Sequence, residues 1–118
     1  MAQNYAATEY NIDVIRGDDW RHVIECVDLS DSPMDWSLWN TSTARIHVRD
    51  RRDNLIISFD SDDIEFTTGY ITLTKASADT TSLTTNAYMY DLEVEDPLGD
   101  TVTILRGNFT INKDVTYD

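Results

Sequence analysis

The chain has 118 residues, a formal net charge of −13 and a single cysteine, Cys26. The length suits one domain with one core, and the acidic balance argues against nucleic acid or an anionic membrane as a partner, because neutralising phosphates takes an excess of Lys and Arg. One cysteine excludes an internal disulfide, and the absence of a long apolar run or a signal-like start predicts a soluble protein that is not exported by a secretory signal.

Short alternating segments, separated by turn residues about every ten positions, run along the chain, while residues that favour helices are few. The pattern predicts an all-β protein, an antiparallel β-sandwich (Ig-like or jelly-roll-like) of about eight strands in one domain over 1–118. The predicted strand segments cover 10–15, 20–28, 43–49, 55–59, 64–67, 70–74, 88–95, 101–108 and 109–112. Gly17-Asp18-Asp19 predicts a hairpin that joins the first two strands in antiparallel fashion.

Two segments depart from the alternation. Residues 29–41 are irregular but rich in large apolar side chains, and we expect this loop to cover one end of the core. In 76–85, Ser77, Thr80 and Leu83 follow a three-residue spacing that predicts one short helical turn at a crossover between the sheets. Residues 113–118 read as a polar tail.

Four of the seven arginines lie between positions 45 and 52 of this acidic chain. Arg45 and Arg49 point outward from the strand 43–49, and Arg51 and Arg52 belong to the turn after it. Guanidinium groups favour carboxylate partners. The group is therefore either an ordinary charged hairpin tip or a docking site for an acidic neighbour, such as another copy of the chain.

Trp36 and Trp39 also leave two alternatives open. They are either lids over the core or anchors for a protein partner, because aromatic residues are enriched at the centres of interfaces. Stacking against a sugar is a further use of exposed aromatic rings.

Nothing in the sequence predicts catalytic, cofactor-binding or metal-ligating residues, and we expect the protein not to be an enzyme. His22 and His47 lie on separate predicted strands without a third ligand at metal-binding spacing, and Cys26 has no nucleophile elbow around it. The acidic run 60–63 lacks the glycine and the glutamate of an EF-hand loop. Turn formation is its stronger interpretation, and calcium binding stays open.

Short motifs follow one another in a fixed order along most of the chain. They are Ile15-Arg16-Gly17-Asp18, Pro33-Met34-Asp35-Trp36-Ser37, Ala44-Arg45-Ile46-His47-Val48-Arg49, Gly69-Tyr70-Ile71-Thr72-Leu73, Ala78-Asp79-Thr80-Thr81-Ser82-Leu83, Tyr88-Met89-Tyr90-Asp91-Leu92-Glu93, Gly99, Ile104-Leu105-Arg106-Gly107-Asn108-Phe109 and Val115-Thr116. In this order they resemble short structural domains of tailed bacteriophages, and they are similar to the N-terminal domains of upper baseplate and fibre-anchoring proteins. The Trp-Ser-Leu-Trp stretch departs from the plainer loop of such domains, so the partner held there can differ.

The resemblance implies a non-enzymatic virion protein without a cofactor, assembled in the host cytoplasm. It implies a multi-copy adaptor of the tail, baseplate or fibre region that binds copies of itself and other phage structural proteins. Two alternatives stay open: a capsid decoration protein, and a carbohydrate-binding module that would use Trp36 or Trp39.

Overall fold

The structure is a computed structural model that describes residues 8–75, 83–84 and 86–113. The described residues form nine β-strands and no helix, so none of them belongs to a helix that could cross a membrane. The strands are β1 (Thr8–Glu9), β2 (Ile12–Ile15), β3 (Trp20–Glu25), β4 (Asn40–Arg49), β5 (Leu55–Phe59), β6 (Ile64–Thr67), β7 (Tyr70–Lys75), β8 (Asn86–Glu95) and β9 (Thr101–Asn112). The predicted helical turn over 76–85 lies mostly outside the described residues, as do 114–118.

Two sheets enclose the core. Sheet A runs in the order β1-β9-β8-β4-β5, with β2 also pairing with β9, and sheet B runs β3-β7-β6. Every second residue of the long strands points between the sheets, where Ile46, Leu92 and Leu73 have no exposed surface. This period of two is the signature of a strand with one buried face. The predicted all-β sandwich is confirmed, although β1 and β2 run parallel to β9 rather than antiparallel.

The predicted hairpin at Gly17 is wrong. Ile12 of β2 pairs with Phe109 in sheet A, whereas Trp20 of β3 pairs with Lys75 in sheet B, so the chain passes from one sheet to the other at this turn. Gly17 does adopt a positive φ of 87°, as a turn requires. Such a turn fixes a local reversal of the chain, but it does not decide which strand becomes the partner.

The N-terminal segment runs alongside β9 and comes close to it at Gly107. A Cβ atom there would lie 2.5 Å from the carbonyl oxygen of Tyr10, which is closer than a Cβ atom comes to a non-bonded oxygen. The same carbonyl oxygen accepts a hydrogen bond from the Tyr90 hydroxyl at 2.5 Å, and the Asn108 amide donates to Asn11 Oδ1 at 3.0 Å. The glycine therefore permits the contact that holds β1 and β2 against sheet A.

Candidate interaction surface

The outer face of sheet A consists of the side chains of β4, β8 and β9 that point away from the core. Because Ile46 and Val48 point inward, the residues between them point outward. Three cross-strand pairs join β4 to β8 on this face: Arg45 with Glu93, His47 with Asp91, and Arg49 with Met89. On the other side of β8, Asp91 pairs with Arg106 and Met89 with Asn108.

Both predicted strand arginines have partners but stay partly open to solvent. Arg45 Nη2 lies 3.1 Å from Glu93 Oε1, with 44% of the arginine side chain exposed. Arg49 donates from Nη1 to the carbonyl oxygen of Asp53 at 3.0 Å, and 39% of its side chain is exposed. Exposed pairs of this kind contribute little to stability, so their guanidinium groups can exchange to an external carboxylate at low cost.

Asp91 lies at the centre of this face, in a shallow depression of about 630 Å³. Burial and then the charge of Glu93 raise the pKa of the Asp91 carboxyl, while His47, Arg49 and Arg45 act in the opposite direction. The depression also contains Met89, whose residue surface is 64% exposed. Asp91 is therefore a partly desolvated carboxylate among cations, next to an exposed apolar side chain. A surface of this kind is suited to contact with another protein.

The outer face of sheet A concentrates arginines on an acidic chain. Three of the seven arginines, Arg45, Arg49 and Arg106, lie there among the carboxylates of Asp91, Glu93 and Glu95, in a chain of net charge −13. In the described part of the chain, Arg106 makes no ion pair within 4.0 Å. The sequence analysis missed Arg106, and the alternation of Leu105, Phe109 and Ile111 was the signal that could have indicated its outward direction.

Arg51 and Arg52 lie away from this face, in the turn between β4 and β5, and both are exposed. Asp50 Oδ1 builds the turn by accepting hydrogen bonds from the amides of Arg52 and Asn54, both at 2.9 Å. The hydrogen bonds from Asn54 are the main reason that the pKa of Asp50 is lowered. The structure thus divides the four predicted arginines between the sheet face and the hairpin tip.

Trp36 and Trp39 are each only 7% exposed. Their ring centroids lie 5.2 Å apart, and Trp36 also packs edge-on against Phe66 at 5.0 Å. Leu38, between the two indoles, is 78% exposed. This packing favours the lid alternative and leaves little ring surface for a sugar, while contact of this loop with a partner stays a prediction.

His22 and Cys26 have structural surroundings. His22 Nε2 lies 2.5 Å from the Tyr10 hydroxyl, the ring stacks on Trp20, and burial lowers the pKa of His22. Burial, followed by the charge of Glu25, raises the pKa of the Cys26 thiol to about 11, so this thiol is protonated at neutral pH and is a poor nucleophile. Among the described residues no group of three or more His, Cys, Asp or Glu side chains is arranged to hold a metal.

Two carboxylates of the acidic run 60–63, those of Asp60 and Asp63, have partners in the turn or on β7 next to it. Asp60 Oδ1 accepts the amide of Asp62 at 3.0 Å, and Asp63 Oδ2 pairs with Lys75 Nζ at 3.0 Å. These contacts support the turn interpretation of the acidic run.

A second cavity of about 300 Å³ lies between the β1–β9 side of sheet A and the edge of β3. Ile24, Leu105 and the two buried indoles line it, together with the more exposed Val27 and Leu29. The cavity is mainly apolar and is separate from the outer face of sheet A.

No family model matches the chain, and no curated protein matches it. Among solved structures it is similar to CopC from Methylosinus trichosporium OB3b, with a TM-score of 0.50 and 12% identity over 92% of this chain and 89% of that one. It is also similar to the GspB Siglec domain, with a TM-score of 0.50 and 16% identity over 88% of this chain and 54% of that one. The chain thus spans about half the length of the second structure, and at such identities the likeness shows a shared β-sandwich fold alone.

Proposed function

We propose that the chain is a non-enzymatic structural adaptor of a tailed-phage virion, present in several copies, that binds neighbouring virion proteins through the outer face of sheet A. The motif order described above is what suggests the virion. The observation that carries the binding role is the set of exposed arginines around Asp91 and Met89, on a chain that is otherwise strongly acidic. Arginines and an exposed methionine are typical of protein interfaces.

The geometry favours binding over a reaction. His22 and Cys26 have the structural contacts described above, and Asp60 and Asp63 of the acidic run bind groups in or next to their turn. His47 lies beside Asp91 on the outer face of sheet A. An open, charged sheet face can orient a partner and speed its association through electrostatic complementarity. An assembly component needs both properties.

Particle association tests this function. Tailed particles purified from a lysate that produces the chain should contain it by mass spectrometry, and antibodies against it should label the tail end in electron micrographs. Label on the shell would instead support the capsid decoration alternative. A chain found only in the soluble fraction would contradict both virion roles.

A charge-reversed variant identifies the face. Arg45→Glu together with Arg49→Glu and Arg106→Glu should reduce incorporation about ten-fold or more, because paired charges across an interface become like charges. Arg21→Glu is the matched control, since Arg21 is exposed on β3 of sheet B. Equal incorporation of the triple variant and the control would show that the outer face of sheet A does not bind the neighbouring virion proteins.

A further inference from the structure

Sheet A ends at β5, and no described strand pairs with the outer edge of this strand. The edge of a sheet exposes backbone N–H and C=O groups that can pair with another chain. Natural proteins commonly protect such edges with charged side chains.

The other described edge strands all carry at least one charge. These residues are Glu9 in β1, Asp13 in β2, Arg21 and Glu25 in β3, and Glu65 in β6. By contrast, β5 reads Leu-Ile-Ile-Ser-Phe and has none. Leu55 is 50% exposed, and Ile56 and Ile57 are partly buried against the core. Among these edges, β5 is therefore the one that lacks electrostatic protection.

Opposite charges are available at the two ends of β5. Asp50, Arg51, Arg52 and Asp53 precede the strand, but Asp50 holds the turn amides and Asp53 lies 3.8 Å from Arg49, so Arg51 and Arg52 are the charges left for a neighbour. Asp60 and Asp62 follow the strand and, like the two arginines, are exposed. Arg51, Arg52 and Asp62 make no ion pair within 4.0 Å in the described part of the chain. An antiparallel copy of the strand would bring the arginines of one chain beside the aspartates of the other at both ends. A parallel copy would place like charges together.

We propose that β5 pairs in antiparallel fashion with β5 of a second copy, so that two six-stranded sheets become one continuous sheet across a two-fold axis. This inference rests on the proposed function, since it names one partner of the multi-copy adaptor. A β-bulge at Ile56, where Val48 pairs with Ile57 and Arg49 with Leu55, leaves Ile57–Phe59 as the regular part of the strand. The contact is therefore short and depends on the charged ends for register.

Sedimentation velocity on the intact chain tests this pairing. Between about 1 µM and about 500 µM, the range over which weak homodimers form, the average mass should rise from one chain to two. Hydrogen exchange of the β5 amides should slow over the same range, because new backbone hydrogen bonds protect them. A chain that stays monomeric, or a dimer with unchanged exchange in β5, would overturn the proposal.

Charge exchange at the strand ends provides a sharper test. Arg52→Glu and Asp62→Arg should each weaken the dimer about ten-fold, because each places like charges at both ends. Neither side chain makes a hydrogen bond in the described structure, since Arg52 and Asp62 use only their amides, so both variants should keep the melting temperature of the wild type. Arg21→Glu is the control and should leave dimerisation unchanged.

Mixing the two variants decides between specific pairing and general charge effects. A heterodimer of Arg52→Glu with Asp62→Arg has opposite charges at both ends, so the mixture should dimerise about as well as the wild type. A mixture that remains monomeric would contradict antiparallel β5 pairing. That failure would leave particle incorporation through the outer face of sheet A intact, so the two proposals are tested separately.

Discussion

At the scale of single residues, the fold depends on a close backbone approach at Gly107. Tyr10 and Asn11 run so close beside β9 that no side chain fits at Gly107, and the Tyr90 hydroxyl holds the Tyr10 carbonyl oxygen in this place. Burial, followed by the charge of Tyr10, raises the pKa of Tyr90 far above its ordinary value, so this hydroxyl stays protonated and can donate at neutral pH.

Gly107→Ala should therefore destabilise the protein by about 3 kcal/mol, measured by urea unfolding, because the new Cβ collides with backbone atoms. Gly99→Ala is the matched control. Gly99 also has a positive φ, 85°, but nothing lies within 4 Å of its added Cβ, so only the backbone strain of about 1 kcal/mol remains. Equal losses for the two variants would show that the close backbone contact at Gly107 adds nothing to the cost of the backbone strain.

His22 should make stability depend on pH in the weakly acidic range. Its folded-state pKa lies below the ordinary value of 6.5 because of burial, so the unfolded chain binds the proton more readily. Stability is therefore lost as the pH falls from above 6.5 toward the lowered folded-state pKa, with the loss complete below it.

Chemical unfolding at about pH 7.5 and about pH 5.5 measures this loss, and His22→Gln removes the group that titrates. The wild type should lose more free energy of unfolding between the two pH values than His22→Gln does. Equal losses in the two proteins would mean that other groups control this range.

At the scale of elements, alternation predicts side-chain direction well and strand partners poorly. In 43–49 and 88–95 the period of two placed the inward residues and the outward Arg45 and Arg49 as the structure has them. The last strand was harder, because a bulge shifts its register opposite Leu92 and Glu93 and interrupts the alternation before Arg106. Strand order depends on contacts far apart in sequence, and the turn at Gly17 carries no information about them.

The loop that carries Trp36 and Trp39, here called the indole loop, gives a prediction at the same scale. Trp39→Ala should cost about 3–5 kcal/mol in the free energy of unfolding, because it removes a large side chain from packed surroundings. Leu38→Ala, at the exposed position beside it, should change stability by less than about 0.5 kcal/mol. A small loss for Trp39→Ala would instead show that the Trp39 ring contributes little to packing, and it would favour the anchor alternative for this residue.

At the scale of the whole molecule, charge is distributed unevenly. The surplus of carboxylates keeps copies apart at long range, while the arginines on sheet A and at the hairpin tip attract the carboxylates of a neighbour at short range.

Salt should weaken assembly of the wild-type chain between about 0.15 M, where a screening length of about 8 Å already removes most of the repulsion between distant charges, and about 1 M, where a length of about 3 Å also screens the ion pairs at the contact. Light scattering at these two salt concentrations should show a lower average mass at the higher one. If the average mass does not change with salt, the arginines do not hold the assembly together, and the indole loop becomes the favoured contact surface.

Oxidation of the two described methionines tests most directly whether the outer face of sheet A contacts a partner. Met89 lies on that face and is 64% exposed, while Met34 is buried at 9% and serves as the internal reference. Peroxide oxidises accessible methionines faster than buried ones, and peptide mass spectrometry can compare the isolated chain with the chain in purified particles. We expect Met89 to oxidise at least about five-fold more slowly in particles, because a partner covers it, with Met34 slow in both. Equally fast oxidation of Met89 in both states would contradict this account.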